Sequence, residues 1–206
     1  MDFSRVEQVK DDFTLLKPVY VNGANATELW LKNGEVLYDK RGIKGVLKAV
    51  GRTYMIDFSA QKKKVAELLQ RTAIVPFYID AQRVFVPVKM RKVLTANDVV
   101  YGYVDLAWLQ QVDVVAKNKC RAVVGNGMEI NIFSSRNTVV NSQNNGQRVR
   151  EMLANQVKNE PDEKQVIDSF IKVLRAMGNM FRQLDRIESR IAEVSEKYGV
   201  NREGQV

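Results

Sequence analysis

The side chains with the clearest capacity for chemistry are cations, crowded into one part of the chain. Lys44, Lys48, Arg52, Lys62, Lys63, Lys64, Arg71, Arg83, Arg91 and Lys92, together with Lys40, Arg41 and Lys89, give residues 40–92 thirteen Lys or Arg against three Asp or Glu. The flanking stretches are balanced or acidic, with 4 against 7 in residues 1–39, 7 against 6 in 93–160, and 8 against 8 in 161–206. The whole net charge of +8 therefore traces to one segment. Such a density attracts polyanions, because each phosphate it neutralises releases a condensed counterion. Nucleic acid is the expected polyanion. A membrane surface fits less well, since the segment lacks a one-sided basic helix with bulky apolar anchors. The bland alternative is a solvated surface of scattered lysines.

Other chemistries lack their residues. The chain has no histidine, which removes the commonest general base, the Ser-His and Cys-His pairs and most zinc sites. Its single cysteine, Cys120, forms no internal disulfide or CxxC motif and reads as a small buried hydrophobe. The paired carboxylates Asp11-Asp12 and Asp162-Glu163 read as helix-end charges, and Trp30 and Trp108 as core. No enzyme, cofactor or metal is expected. No apolar run approaches the ~20 residues of a membrane span, and the N-terminus lacks a secretory pattern, so a cytoplasmic location and no membrane partner are expected.

The elements that must position the cations follow from periodicity and turns. Val6, Val9, Phe13 and Leu16 repeat at steps of three and four, which predicts a short helix over Phe3 to Leu16, ended by Pro18. Asn22-Gly23 and Asn33-Gly34 are turn signals between apolar runs, the second marking a hairpin. Ile43, Val46, Leu47 and Val50 predict a helix carrying Lys44 and Lys48 on another face; a second, roughly Ala60 to Gln70, carries the triple lysine near its start. There the cations oppose the helix dipole, a cost that a bound phosphate offsets. Residues 73–133 read as strands, with Pro76 and Pro87 confined to edges or strand starts. Residues 134–145 read as a loop or irregular helix, and a helix resumes near Gln147.

From Asn159-Glu160-Pro161 to Gly199 runs an unbroken heptad pattern. Its members are Val166, Phe170, Val173, Met177, Met180, Leu184, Ile187, Ile191, Val194 and Tyr198, and they predict a coiled-coil seam on a helix about 55 Å long at roughly 1.5 Å per residue. Phe170 to Val194 are the expected oligomerisation residues. Ile167, Leu174 and Phe181 widen the stripe in its first half only, which predicts a first half packed on the globular part or in a multi-helix bundle and a second half that pairs narrowly, with the oligomer number open. The expected architecture is α+β: a β-rich core of antiparallel strands with short helices over residues 1–158, then a long coiled-coil-like helix over 159–206.

Residues 35–156 resemble the ComK family of bacterial competence transcription factors. The landmarks come in that family's order: Ile43 to Arg52, Tyr54, Lys62-Lys63, Ile74-Val75-Pro76-Phe77-Tyr78-Ile79, Phe85-Val86-Pro87-Val88 and Tyr101-Gly102-Tyr103-Val104. Lys119-Cys120-Arg121, Asn126-Gly127-Met128-Glu129-Ile130, Ser134 and Asn144-Asn145 complete them. The resemblance implies a transcription activator that binds paired A/T-rich boxes of double-stranded DNA through the minor groove, as an oligomer, with the transcription machinery as a further partner. Two segments depart from the family. Met55-Ile56-Asp57-Phe58 stands where it has Gly-Ser-Ser-Tyr, and the long helix replaces the segment a proteolytic adaptor recognises. On this reading Arg52, Arg71, Arg83 and Arg91 enter the groove, while Lys44, Lys48, Lys62, Lys63, Lys64 and Lys92 hold phosphates. The alternative from the residues is a protein-interaction module that captures or modulates a host or regulatory protein, its coiled coil taking the host factor and its basic face meeting an acidic protein.

Overall fold

A computed structural model describes residues 1–71, 74–93, 98–125, 127–158 and 163–197. The chain divides into two units, Met1–Val157 and Lys158–Val206.

The first unit is built on a six-stranded antiparallel sheet of order β3-β2-β1-β6-β5-β4. Its strands are β1 (Phe13–Val21), β2 (Ala24–Leu31), β3 (Val36–Asp39), β4 (Phe77–Tyr78), β5 (Val84–Lys89) and β6 (Tyr101–Asp105). The two Asn-Gly pairs close the β1-β2 and β2-β3 hairpins, with Asn22, Gly23 and Gly34 at positive φ. A second antiparallel sheet holds β7 (Leu109–Ala116), β8 (Lys119–Val124) and β9 (Met128–Ile132). Helices α1 (Ile43–Thr53) and α2 (Phe58–Leu69) follow β3, and α3 (Arg136–Lys158) follows β9.

The large sheet is covered on both faces. On one, Phe13, Leu16, Leu29 and Phe85 pack against Ile43, Val46 and Val50 of α1. On the other, Leu15, Trp30, Val86 and Val104 meet Cys120, Ala122, Ile130 and Ile132 of the small sheet and Val139 of α3. A third cluster joins Val65 and Leu69 of α2 to Val149 and Leu153 of α3. Trp30 and Cys120 thus sit in the core, and burial pushes the Cys120 thiol up. Pro76 lies just before β4, the sheet's edge, and Pro87 lies in the part of β5 beyond β4's two pairs.

Two expectations are corrected. The helix predicted over residues 3–16 is a 3-10 turn at Val6–Val9 followed directly by β1. Thr14 is a bulge, since Phe13 pairs with Leu31 and Leu15 with Trp30. One inserted residue puts Phe13 and Leu16, three apart, into the same core cluster, which imitates helical spacing in a strand. Pro18 does not end an element; it sits within β1 opposite Thr27. Residues 136–145 are regular helix, continuous with the helix expected from Gln147. The polar run hides its contacts: Ser142 is buried and donates to the Pro87 carbonyl at 2.7 Å, and a Cβ on Gly146 would come within 2.4 Å of Val86.

The second unit contains α4 (Glu163–Lys197), 35 residues long. The predicted start at residues 159–161, the stop at Gly199 and the seam residue Tyr198 lie outside the described residues, as does the side chain of Val166.

Candidate nucleic-acid interface

Helix α1 forms because its apolar residues recur at helical spacing and the sheet covers that face. Ile43, Val46, Ala49 and Val50 are buried. That burial dictates where the cations go: Lys44, Lys48 and Arg52, at steps of four, lie along the opposite side and are exposed. At about 1.5 Å per residue they form a row with roughly 6 Å between successive cations.

The turn from α1 into α2 is tightly tied. The Tyr54 amide donates to the Val50 carbonyl at 3.0 Å and the Ile56 amide to the Gly51 carbonyl at 2.7 Å. Gly51 permits this approach, because a Cβ there would meet the Ile56 oxygen at 2.9 Å and the Phe58 ring at 3.3 Å. At the tip, Met55 is 95% exposed in the left-handed region (φ 55°). Asp57 then caps α2, its carboxylate accepting from the Ser59 and Ala60 amides at 2.8 and 3.1 Å.

The roll of α2 is set by its buried face, Gln61, Val65 and Leu69. Gln61 clamps β4 from both sides, donating to the Tyr78 carbonyl at 2.9 Å and accepting from the Tyr78 amide at 3.0 Å. With those residues turned inward, Lys62, Lys63 and Lys64 are all exposed. An open groove between the helices is walled by Lys44, Lys48 and Arg52 together with Leu47, Met55 and Phe58, and by one carboxylate, the capping Asp57. An adjoining depression shares Leu47 and Phe58 and is lined by Lys62, the first lysine of the triplet, with Pro76, Phe77 and Tyr103. Arg71, just past α2, is exposed and lines a different depression with Pro87, Tyr101, Thr138 and Asn141. Lys92 is exposed with its ammonium 5.8 Å from the Phe133 ring centre.

Two of the predicted groove-entering arginines are spent inside the fold. The Arg83 side chain is 14% exposed and its guanidinium lies 4.8 Å from the Phe13 ring centre. It donates to the Tyr54 hydroxyl at 2.7 Å and to the Lys10 and Phe13 carbonyls at 3.1 and 3.3 Å. The Arg91 side chain, 10% exposed, stacks 4.1 Å from the Tyr20 ring centre. It donates to the Val19 carbonyl and to Asn25 Oδ1 at 3.0 Å, with Asp98 at 3.6 Å. Neither can enter a DNA groove while these contacts stand, so both are removed from the site.

Arg41 is also engaged. It makes paired contacts with Glu7 at 2.6–2.8 Å and with Asp39 at 2.6–2.9 Å. The Glu7 carboxyl is held down at about 2, chiefly by its hydrogen bond with Arg41. Burial pushes Asp39 up, but hydrogen bonds from the Arg41 side chain and from the Arg41 and Val6 amides outweigh it and leave the carboxyl below its usual range. Sequence spacing gave no signal for this cluster, whose ends are 34 residues apart. By contrast, no ion pair among the described residues involves Lys44, Lys48, Arg52, Lys62, Lys63, Lys64 or Arg71. The described residues also hold no group of three or more Cys, Asp or Glu side chains that could bind a metal ion, and no helix among them is long and apolar enough to cross a membrane.

In the second unit, the seam residues Phe170, Val173, Met177, Met180, Leu184, Ile187, Ile191 and Val194 all remain exposed, from 45% at Met177 to 62% at Phe170.

Comparison with known proteins identifies no relative: no family model, no curated protein and no solved structure matches the chain.

Proposed function

We propose that this protein is a double-stranded DNA-binding transcription regulator that grips phosphates with the exposed sides of α1 and α2 and associates with copies of itself through α4. The observation that carries the reading is the row Lys44, Lys48 and Arg52, with Lys62 on the adjoining depression, all exposed and in no ion pair among the described residues. Three cations in a row against the single carboxylate of Asp57, which caps α2 and forms no ion pair with them, repel one another, and a polyanion relieves that repulsion by releasing its own counterions. The order of landmarks shared with the ComK family supports the choice of DNA and of A/T-rich sites. With Arg83 and Arg91 removed, minor-groove reading falls to Arg52 and Arg71, and phosphate contact to Lys44, Lys48, Lys62, Lys63, Lys64 and Lys92.

The test is a titration of labelled A/T-rich and G/C-rich duplexes at two salt concentrations, with the native chain and with Lys44→Glu/Lys48→Glu/Arg52→Glu. The native chain is expected to prefer A/T-rich duplex and to weaken steeply with salt. The variant should bind both duplexes more weakly with a shallower salt slope, by about one for each phosphate it no longer neutralises. An unchanged slope rejects the row as the phosphate grip.

A second reading is favoured by the apolar wall of the groove, where Leu47, Met55 and Phe58 lie between the cations. A cationic rim over an apolar floor suits an acidic, amphipathic segment of another protein. Absence of duplex binding at low salt is the outcome that selects it.

A further inference from the structure

Helix α4 carries more information than a tendency to pair. Its seam follows a heptad in which Phe170, Met177, Leu184 and Ile191 occupy the a positions and Val173, Met180, Ile187 and Val194 the d positions. The flanking positions change character along the helix. On the e side, Ile167, Leu174 and Phe181 are large and apolar, each 51% exposed or more, and are followed by Glu188 and Ser195. On the g side, Ser169 and Ala176 are small, and are followed by Gln183, Arg190 and Lys197.

We infer that α4 assembles as a parallel bundle of at least three copies of this chain, an inference that rests on the reading of α4 as a self-pairing helix. Orientation follows from the flanks. In a parallel bundle the g residue of one helix meets the e residue five places on in its neighbour. Ser169 then meets Leu174, Ala176 meets Phe181, Gln183 meets Glu188, and Arg190 meets Ser195. Small faces large in the first half, polar faces polar in the second, and no like charges meet. In an antiparallel pair that keeps the a and d layers in register along the whole stripe, e faces e. Phe181 then opposes its own copy and the charged Glu188 lies against Leu174.

Number follows from the width and shape of the stripe. Two helices bury mainly a and d, so the e-side residues Ile167, Leu174 and Phe181 would keep much of their surface in water. Removing three large apolar side chains from water favours a third helix that covers them. The branching agrees, because β-branched Val173, Ile187 and Val194 at d, combined with Leu184 at a, disfavour two strands. A lipid surface is a poorer occupant: residues 163–197 carry seven Lys or Arg against six Asp or Glu, without the basic excess that an interfacial helix uses. Four consecutive heptads without a charge in the seam fit a partner with the same repeat.

The experiment combines mass with orientation. Sedimentation equilibrium of the full chain should give at least three times the 23.5 kDa chain mass. Leu174→Lys/Phe181→Lys, which leaves a and d intact, should lower that mass to two chains. Under mild oxidation Val194→Cys should link to its own copy, whereas mixing Val194→Cys with Phe170→Cys should give few mixed disulfides; the native Cys120 is fully buried and does not compete. A native mass of two chains, an unchanged mass in the double-lysine variant, or a predominance of mixed disulfides overturns the bundle while leaving self-pairing intact. A native mass of one chain overturns both. DNA titration with the α1 variants reads the other half of the proposal independently.

Discussion

Within residues 40–92 two sets of cations have the same chemistry and opposite fates. Lys44, Lys48, Arg52 and Lys62–Lys64 lie on helix faces turned to solvent, without acidic partners among the described residues. Arg41, Arg83 and Arg91 reach back to residues 7–39, taking Glu7 and Asp39, the Phe13 ring and carbonyl, and the Tyr20 ring. Charge density in a sequence is therefore an upper limit on available charge. The acidic first segment draws part of the excess into the fold, and what remains for a partner is the portion on α1 and α2.

Arg41 carries the largest expected effect. Arg41→Ala leaves the buried Asp39 carboxylate without its cation, and a loss of about 3 kcal/mol in urea unfolding is expected. The same variant should change the pH profile. Glu7 and Asp39 have folded pKa values below their ordinary ones, so their contribution is complete above the ordinary carboxylate range of about 4–4.5. It is lost as pH falls toward about 2, and the native chain should weaken over that window more than Arg41→Ala does. A parallel acid loss in both proteins would show that Arg41 is not the cause.

Arg83→Ala comes next. It removes the stacking on Phe13 and the bonds to Tyr54 and two carbonyls, and about 2 kcal/mol of stability should go with it. Duplex affinity, measured well below the melting temperature, should change little. The smallest stability effect belongs to Lys44→Glu/Lys48→Glu/Arg52→Glu, expected to stay within roughly 0.5 kcal/mol per substitution of the native chain because these side chains hold nothing in the fold. A large destabilisation there would erase the distinction between the two sets.

Much of the fold was legible because its signals are local. The Asn-Gly turns, the apolar spacing of α1 and α2, and the strands of residues 84–132 each declare themselves within a dozen residues. The failures have a shared cause. At Thr14 a bulge turned strand periodicity into three-residue spacing, and between Val139 and Val149 the buried face of α3 is carried by Ser142 and Gly146, which interrupt the apolar signal. The site was half legible for a related reason. Spacing at i and i+4 placed Lys44 and Lys48 together, and the structure adds Arg52 to their row, but nothing near Arg83 or Arg91 announced the carbonyls and rings that take them.

Helices α1 and α4 mark the same boundary. Both are amphipathic, yet Val46 and Val50 of α1 are sealed against the sheet while Phe170 and Ile191 of α4 stand open. By itself the sequence determined the turns, the helical faces, the location of the surplus charge and the need for the α4 stripe to be covered. Only the tertiary structure decided which cations stay in water and how the sheet seals the apolar face of α1. Both depend on groups brought together from distant parts of the chain, such as Arg83 and Phe13, 70 residues apart, and no local pattern records such meetings.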